Sequence, residues 1–127
     1  MRNSGAVGIE MAAEIKVVYP TQKVTLIHSH PKLLSSEPLP DDFKDRTLQA
    51  LHEAGVDTVM GRRVMDITHL DSVEGCPSFK LLLSDGSDLK AGLVISAISR
   101  IVPSTEFLPK DVLDNEGCVK ITSRYVR

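Results

Sequence analysis

The chain has 127 residues, 42% of them hydrophobic and 25% charged, with a formal net charge of −2 at pH 7. This length supports one compact core, and the net charge gives no electrostatic reason to bind nucleic acid or anionic lipid. Cys76 and Cys118 belong to no Cys-x-x-Cys pair, so we expect free thiols rather than a zinc site or a dithiol redox motif. No apolar run is long enough to span a bilayer and no secretory leader is evident, which predicts a cytoplasmic protein.

A glycine-rich segment opens the sequence, from Asn3 to Glu10. Gly5 and Gly8 have the spacing of the second and third glycines of a dinucleotide-binding turn, where the backbone approaches a pyrophosphate and a helix packs on a sheet. Asn3 occupies the position of the first glycine, and no strand stands before the turn. We therefore expect a nucleotide-binding domain whose start has been lost or lies outside the chain.

The next segments predict a helix followed by a strand. Apolar residues recur at helical spacing from Ala6 to Tyr19, and Pro20 ends the pattern. Lys23 to His28 has apolar residues on both faces, as expected of a parallel strand that is covered on both sides. This order predicts a β-α-β crossover.

A loop and a second helix are predicted next. The prolines of Pro31 to Pro40 mark the loop, and Asp41 or Asp42 is expected to cap the helix. Gly55 is the predicted left-handed stop, before a short strand at Val56 to Met60. The residues expected on the inner face of the helix are Phe43, Thr47, Ala50, Leu51 and Ala54.

The character of the sequence changes after Gly61. Short strand-like runs at Arg63 to Leu70, Phe79 to Leu83 and Leu89 to Lys90 predict a small antiparallel meander. Leu93 to Ile98 predicts another buried strand. The expected architecture is a three-layer, Rossmann-like α/β fold that lacks its first strand and carries an antiparallel β-meander insert.

Five segments together carry a family resemblance. They are Gly5 to Ile15, Tyr19-Pro20, Lys23 to Ser29, Leu93 to Ala97 and Arg100 to Thr105. The first three resemble the NAD(P)H-binding insert of apoptosis-inducing-factor-like flavoproteins, and the last two are similar to the family segment where the chain crosses back to the FAD domain. The similarity is to the mitochondrion-associated type 2 branch, the ferroptosis suppressor proteins, within the FAD-dependent pyridine nucleotide-disulfide oxidoreductases. Members of this branch lack the redox-active cysteine pair, as does this sequence.

The resemblance implies a function for the chain as part of a larger enzyme. NAD(P)H would bind the insert, and hydride would pass to FAD and on to a quinone-type acceptor, with the protein aligning the two cofactors. The family's FAD-binding glycine motif and its later Gly-Asp motif are absent, so we expect the chain alone to be inactive and to hold no FAD. The open alternatives are a non-catalytic truncated remnant and an NAD(P)-sensing or interaction module.

The resemblance also implies domain limits. Residues 1–100 would form the truncated NAD(P)H-binding domain. Residues 101–127 would begin the return segment toward an FAD-binding domain that the chain does not contain.

The glycine turn contains the first group of candidate site residues. Backbone amides at the start of a helix, with the helix dipole behind them, favour a bound pyrophosphate. The residues expected to bind the cofactor here are Ser4, Gly5, Ala6, Val7 and Gly8. Glu10 matches the family glutamate placed near nicotinamide and flavin, and is the predicted catalytic residue. Its alternative role is to complement the helix dipole.

The end of the second predicted strand contains further candidates. This position normally carries an acid that bonds the adenosine ribose and repels a 2′-phosphate, whereas this chain has His28, Ser29 and, shortly after, Lys32. The substitution predicts weaker discrimination against NADPH. His28 and His30 offer two metal ligands at most, so we expect no metal site.

The last candidates follow the predicted Leu93 to Ile98 strand. Ala97, Ile98 and Ser99 stand where the family has Ala-Thr-Gly, and we expect them to bind the cofactor. A serine in place of the glycine reduces backbone freedom where the nicotinamide would approach closely.

Overall fold

The structure, a computed structural model, describes residues 5–73, 76–98 and 103–120. One compact unit spans Asn3–Ser99, and the described residues 103–120 belong to another. The first unit is mixed α/β, which confirms the predicted fold class. Its helices and strands, in chain order, are α1 (Gly5–Val18), β1 (Val24–His28), α2 (Asp41–Glu53), β2 (Val56–Met60), β3 (Val64–Val73), β4 (Cys76–Leu83) and β5 (Asp88–Ala91).

The strands β1 and β2 form a parallel pair, in which Val24 aligns with Val56 and His28 with Met60. Parallel neighbours require a crossover connection, and α2 provides it. Both strands therefore end at the same edge of the sheet. Within the described residues the sheet has only these two strands, so the other edge of β1 has no strand beside it.

The core of this part is formed by α1, α2, β2 and the loop before α2. Its least exposed residues are Leu33, at 1%, and Val56, at 2%. Leu33 and Leu34 lie in the predicted loop, and Leu34 adopts a left-handed backbone conformation with φ of 52°, which is uncommon for leucine. The complete set of buried core residues is Ala12, Leu33, Leu34, Leu51 and Val56.

The start of α2 differs from the prediction. Pro40 is the N-cap residue and makes no side-chain cap hydrogen bond, so neither Asp41 nor Asp42 caps the helix. Asp41 is instead the first helical residue, and its carboxylate pairs with Lys32. Gly55 adopts a φ of 81° after the helix, as predicted for a left-handed stop.

The inner face of α2 was predicted only in part. Leu51 is buried and Thr47 is half-buried, whereas Phe43, Ala50 and Ala54 are exposed. The core-facing stripe passes instead through Leu51 and Leu48, which packs against the buried cluster. Residues three apart share a helix face, and this stripe leaves the other three predicted side chains to one side of it. That part of the prediction was wrong.

The strands β3, β4 and β5 form an antiparallel sheet in that order, which confirms the predicted meander. Leu81 and Leu83 on the central strand are buried. The turn between β4 and β5 is held by Asp85, which accepts hydrogen bonds from Ser87 and Arg62. These bonds, the one from the Ser87 hydroxyl foremost, lower the pKa of Asp85 to about 2.

The prediction of a buried strand at Leu93 to Ile98 was wrong. These residues belong to neither sheet, and Leu93 and Ile98 are 73% and 75% exposed. In a dinucleotide fold this strand bonds to the strand that enters the glycine turn, and none of the described residues 5–98 provides that strand. Without a neighbour to bond, the segment forms no ladder.

Residues 103–120 contain a short antiparallel bridge between Leu113 and Val119. Asp114 closes it by accepting hydrogen bonds from the backbone N–H groups of Glu116 and Cys118, at 2.9 and 2.8 Å. Cys118 is a free, exposed thiol. No helix in the described part of the chain is both long and apolar enough to cross a membrane.

Candidate functional site

The candidate site begins at the first turn of α1. The N–H groups of Gly5, Ala6 and Val7 have no acceptor within the helix, because the amides in the first turn of an α-helix lack an i−4 carbonyl. The positive end of the helix dipole lies at the same place. Ala6 packs against the buried core and fixes the turn to the domain. Ser4, also predicted to bind the cofactor, lies outside the described residues.

Gly8 brings the helix close to two other segments. A Cβ atom at this position would lie 3.3 Å from Cβ of Ala97 and 3.5 Å from Cδ1 of Leu26. The first distance is tighter than an ordinary contact, so a side chain here would require α1 and the segment around Ala97 to move apart by a few tenths of an ångström. This is the packing role that the third glycine of a dinucleotide turn performs. Gly8 and Ala97, both predicted site residues, are therefore neighbours.

Gly5 lies against the end of β1. A Cβ atom built on it would be 3.4 Å from Cε1 of His28 and 3.9 Å from the backbone nitrogen of Leu34. The carboxyl end of β1 and the loop after it thus meet the glycine turn. In open α/β sheets, ligands bind at this edge, outside the carboxyl ends of the strands.

His28 has a buried polar atom without a partner. Its Nε2 is buried and makes no hydrogen bond to any described group. Burial of the ring and the neighbouring His30 lower the pKa of His28, and a hydrogen bond to the Lys32 backbone opposes them. Because Nε2 is unpaired, this bond involves Nδ1. It raises the pKa, so the ring donates to the Lys32 carbonyl. His28 is therefore neutral at pH 7, with Nε2 free to accept a hydrogen bond.

The turn after β1 is fixed to the chain that follows β2. The Gly61 N–H donates to the His30 carbonyl at 3.0 Å, and the Arg62 N–H donates to the His28 carbonyl at 3.1 Å. Ser29 is half-buried within this turn. These bonds hold the histidine-bearing end of β1 in one position.

Lys32 is directed toward α2. Its Nζ lies 3.0 Å from Oδ2 of Asp41 and 3.7 Å from Oδ1 of Asp45. The hydrogen bond with Asp41 raises the pKa of Lys32 and lowers that of Asp41. Of the residues predicted around the ribose, His28 lies beside the glycine turn, whereas the Lys32 ammonium is paired with carboxylates.

Glu10 is exposed on α1, beyond the first turn, which contains no acidic residue. The helix-dipole alternative is therefore weakened, because that effect falls off within one turn. Proximity to nicotinamide stays a prediction. Ile98 is exposed, and Ser99 lies outside the described residues, so the binding roles of these two also stay predictions. Among the side chains that the structure describes, no three His, Cys, Asp or Glu residues converge as a metal site would require.

Comparisons with known proteins show the family of the chain. Residues 4–124 match the family described as pyridine nucleotide-disulphide oxidoreductase. The chain is 56% identical over 120 residues to oxidoreductase OXR1 of Ajellomyces capsulatus, covering 94% of the chain and 26% of that relative. It is 35% identical over 126 residues to the FAD-dependent oxidoreductase FVFD30 of Flammulina velutipes, covering 95% and 36%.

A third relative is the ferroptosis suppressor protein 1 of Homo sapiens. The identity is 36% over 91 residues, which cover 72% of the chain and 24% of that protein. Against all three, the chain spans between 24% and 36% of the relative's length.

Proposed function

The chain belongs to the pyridine nucleotide-disulphide oxidoreductase family, and we propose that it is the NAD(P)H-binding segment of an FAD-dependent oxidoreductase. The observation that carries the proposal is the buried, unpaired Nε2 of His28 directly beside Gly5. A buried polar atom without a partner is rare in proteins, and a ligand hydroxyl would satisfy it.

The proposed pose follows from these two features. The pyrophosphate lies on the amides of Gly5, Ala6 and Val7, where the helix dipole favours an anion, and Gly8 lets the helix pack closely behind them. An adenosine ribose hydroxyl then donates to Nε2 of His28. The further residues proposed to line the cofactor are Ser4, Ser29, Ala97, Ile98 and Ser99. Lys32 lies in the same loop, with its ammonium paired with Asp41 and Asp45.

The described residues do not fit FAD as a second ligand. The glycine turn of α1 is the one dinucleotide cradle among them, and the proposal assigns it to NAD(P)H. We propose that FAD is held by other segments of a longer protein, toward which residues 101–127 lead. The flavin would take hydride from NAD(P)H and pass electrons to a quinone-type acceptor. The role of this chain is to bind and orient the nicotinamide donor.

An exchange experiment tests this role. In the 56%-identical oxidoreductase, the matched segment of 120 residues is replaced by the corresponding residues of this chain. We expect the hybrid to retain bound FAD. In the absence of oxygen, added NADH should reduce this flavin and bleach its absorbance. A hybrid that binds FAD but is not reduced by either NADH or NADPH would contradict the proposal. The 127-residue chain alone should carry no flavin absorbance.

Glu10→Gln tests the predicted place of Glu10 beside the nicotinamide. Glutamine keeps the size and removes the charge, so we expect single-turnover flavin reduction in the hybrid to slow by about ten- to a hundredfold, as misplaced reactants do. FAD content should not change. Glu14→Gln, one helical turn further along α1 and also exposed, is the matched control and should react at the original rate. An unchanged rate for Glu10→Gln removes that residue from the site.

The protonation state of His28 is expected to make the preference of the hybrid between NADPH and NADH depend on pH. Neutral His28 accepts a bond from a ribose hydroxyl, whereas charged His28 donates to a 2′-phosphate. Its pKa is lowered from 6.5, so the charged form of His28 becomes substantially populated only below that pH. We expect the ratio of kcat/KM for NADPH to that for NADH to rise as the pH falls from about 6.5 to about 5.

His28→Asn is the control for this pH effect, since an amide does not titrate in that range. In this variant the ratio of kcat/KM for NADPH to that for NADH should not change with pH. A ratio that is also independent of pH in the unsubstituted protein would show that His28 does not face the 2′-position.

A further inference from the structure

The side chain of Lys32 starts close to the proposed ribose site. Its backbone bonds the His28 ring, and a Cβ atom built on Gly5 of the pyrophosphate cradle would lie 3.4 Å from that ring. A lysine at this distance from the 2′-position would ordinarily favour a 2′-phosphate, as basic side chains do in NADP-binding folds.

Two carboxylates cancel this charge. Asp41 and Asp45 stand four residues apart on one face of α2, and both reach the same ammonium group, at 3.0 and 3.7 Å. These three side chains together carry a net charge of −1, and Lys44 is a further cation that acts on Asp41. All three side chains are partly exposed, so salt screens their field beyond a Debye length of about 8–10 Å.

We propose that Asp41 and Asp45 are specificity-determining residues that hold Lys32 away from the 2′-position and make the site prefer NADH. The inference rests on the proposed function. The acid that usually repels a 2′-phosphate from the end of the strand is replaced here by two acids from the following helix. His28 is neutral above pH 6.5 and does not offset them.

The test compares NADH and NADPH binding to the 127-residue chain by NMR titration at about pH 7.5, where His28 is uncharged. The variants are Asp41→Asn, Asp45→Asn and the double variant. Each single variant weakens one ion pair, and the double variant frees Lys32. We expect the double variant to shift the ratio of dissociation constants toward NADPH by about two- to fivefold, within the range of exposed charge interactions.

Two controls isolate the mechanism. Asp42→Asn removes a neighbouring exposed carboxylate that does not pair with Lys32, and we expect the original ratio. Adding Lys32→Met to the double variant should cancel its gain for NADPH, which a merely structural role of the aspartates would not do. The amide spectrum of each variant reports whether the fold is retained.

The outcomes separate this inference from the proposed function. If the double variant binds NADH with an unchanged ratio of dissociation constants for NADH and NADPH, this inference is overturned and the proposed function stands. Failure of the unsubstituted chain to bind either nucleotide overturns the proposed function and this inference together.

Discussion

Replacing Gly5 by valine is expected to lower the affinity of the chain for NADH by about a hundredfold or more. Two or more charge-assisted hydrogen bonds to the pyrophosphate would be lost, each contributing about 1.5–3 kcal/mol. A Cβ alone would already lie 3.4 Å from the His28 ring, so the valine methyl groups must displace the ring or fill the cradle. Fluorescence or NMR titration with NADH measures the change.

The fold should survive this substitution, because Gly5 is only partly buried at the start of α1. Gly92→Ala is the matched control, since an added Cβ there meets only the Pro77 carbonyl oxygen at an ordinary 3.7 Å. We expect its affinity for NADH to be unchanged. Equal affinity in Gly5→Val and the unsubstituted chain would show that the glycine turn does not bind the pyrophosphate.

Leu33→Ala is expected to cost about 2–5 kcal/mol of folding free energy, the range for leucine truncation in a packed core. Leu33 is 1% exposed and lies in a loop, so its side chain is what anchors the segment between β1 and α2. Urea unfolding followed by circular dichroism gives the free energy of unfolding. Because the same loop carries Lys32 and bonds His28, NADH affinity should fall as well.

Leu39→Ala provides the comparison for Leu33. Leu39 belongs to the same loop but is 37% exposed, so its truncation removes far less buried surface. We expect a loss of under about 1 kcal/mol. If the two variants are equally stable, the loop does not contribute to the core as the structure describes.

The periodicity of the sequence predicted most of the fold correctly. Helical spacing ending at Pro20, the continuous apolar strands and Gly55 are local signals, and local signals determine α1, β1, β2 and the end of α2. The Leu93 to Ile98 segment failed because a strand requires a hydrogen-bonding neighbour, which its own residues do not reveal. Its composition suits a buried strand, but none of the described residues pairs with it.

The candidate site was predicted in outline and misjudged in its charges. The glycine spacing predicted the contacts of Gly5 and Gly8, because close backbone approach is the reason for a glycine there. The pairing of Lys32 was missed, since Asp41 was interpreted as a cap. The spacing of Asp41 and Asp45, four residues apart on a helix next to a loop lysine, was the available signal. The burial of Leu33 was hidden by the surrounding prolines and serines.

The most direct measurement is an NADH titration of the isotopically labelled 127-residue chain, followed through its backbone amide and histidine ring resonances. We expect saturable shifts of the amides of Gly5, Ala6, Val7 and Gly8 and of the His28 ring, with smaller changes elsewhere. Shifts confined to the β3–β5 sheet, or no shift at millimolar NADH, would contradict the claim that this chain binds the dinucleotide at its glycine turn.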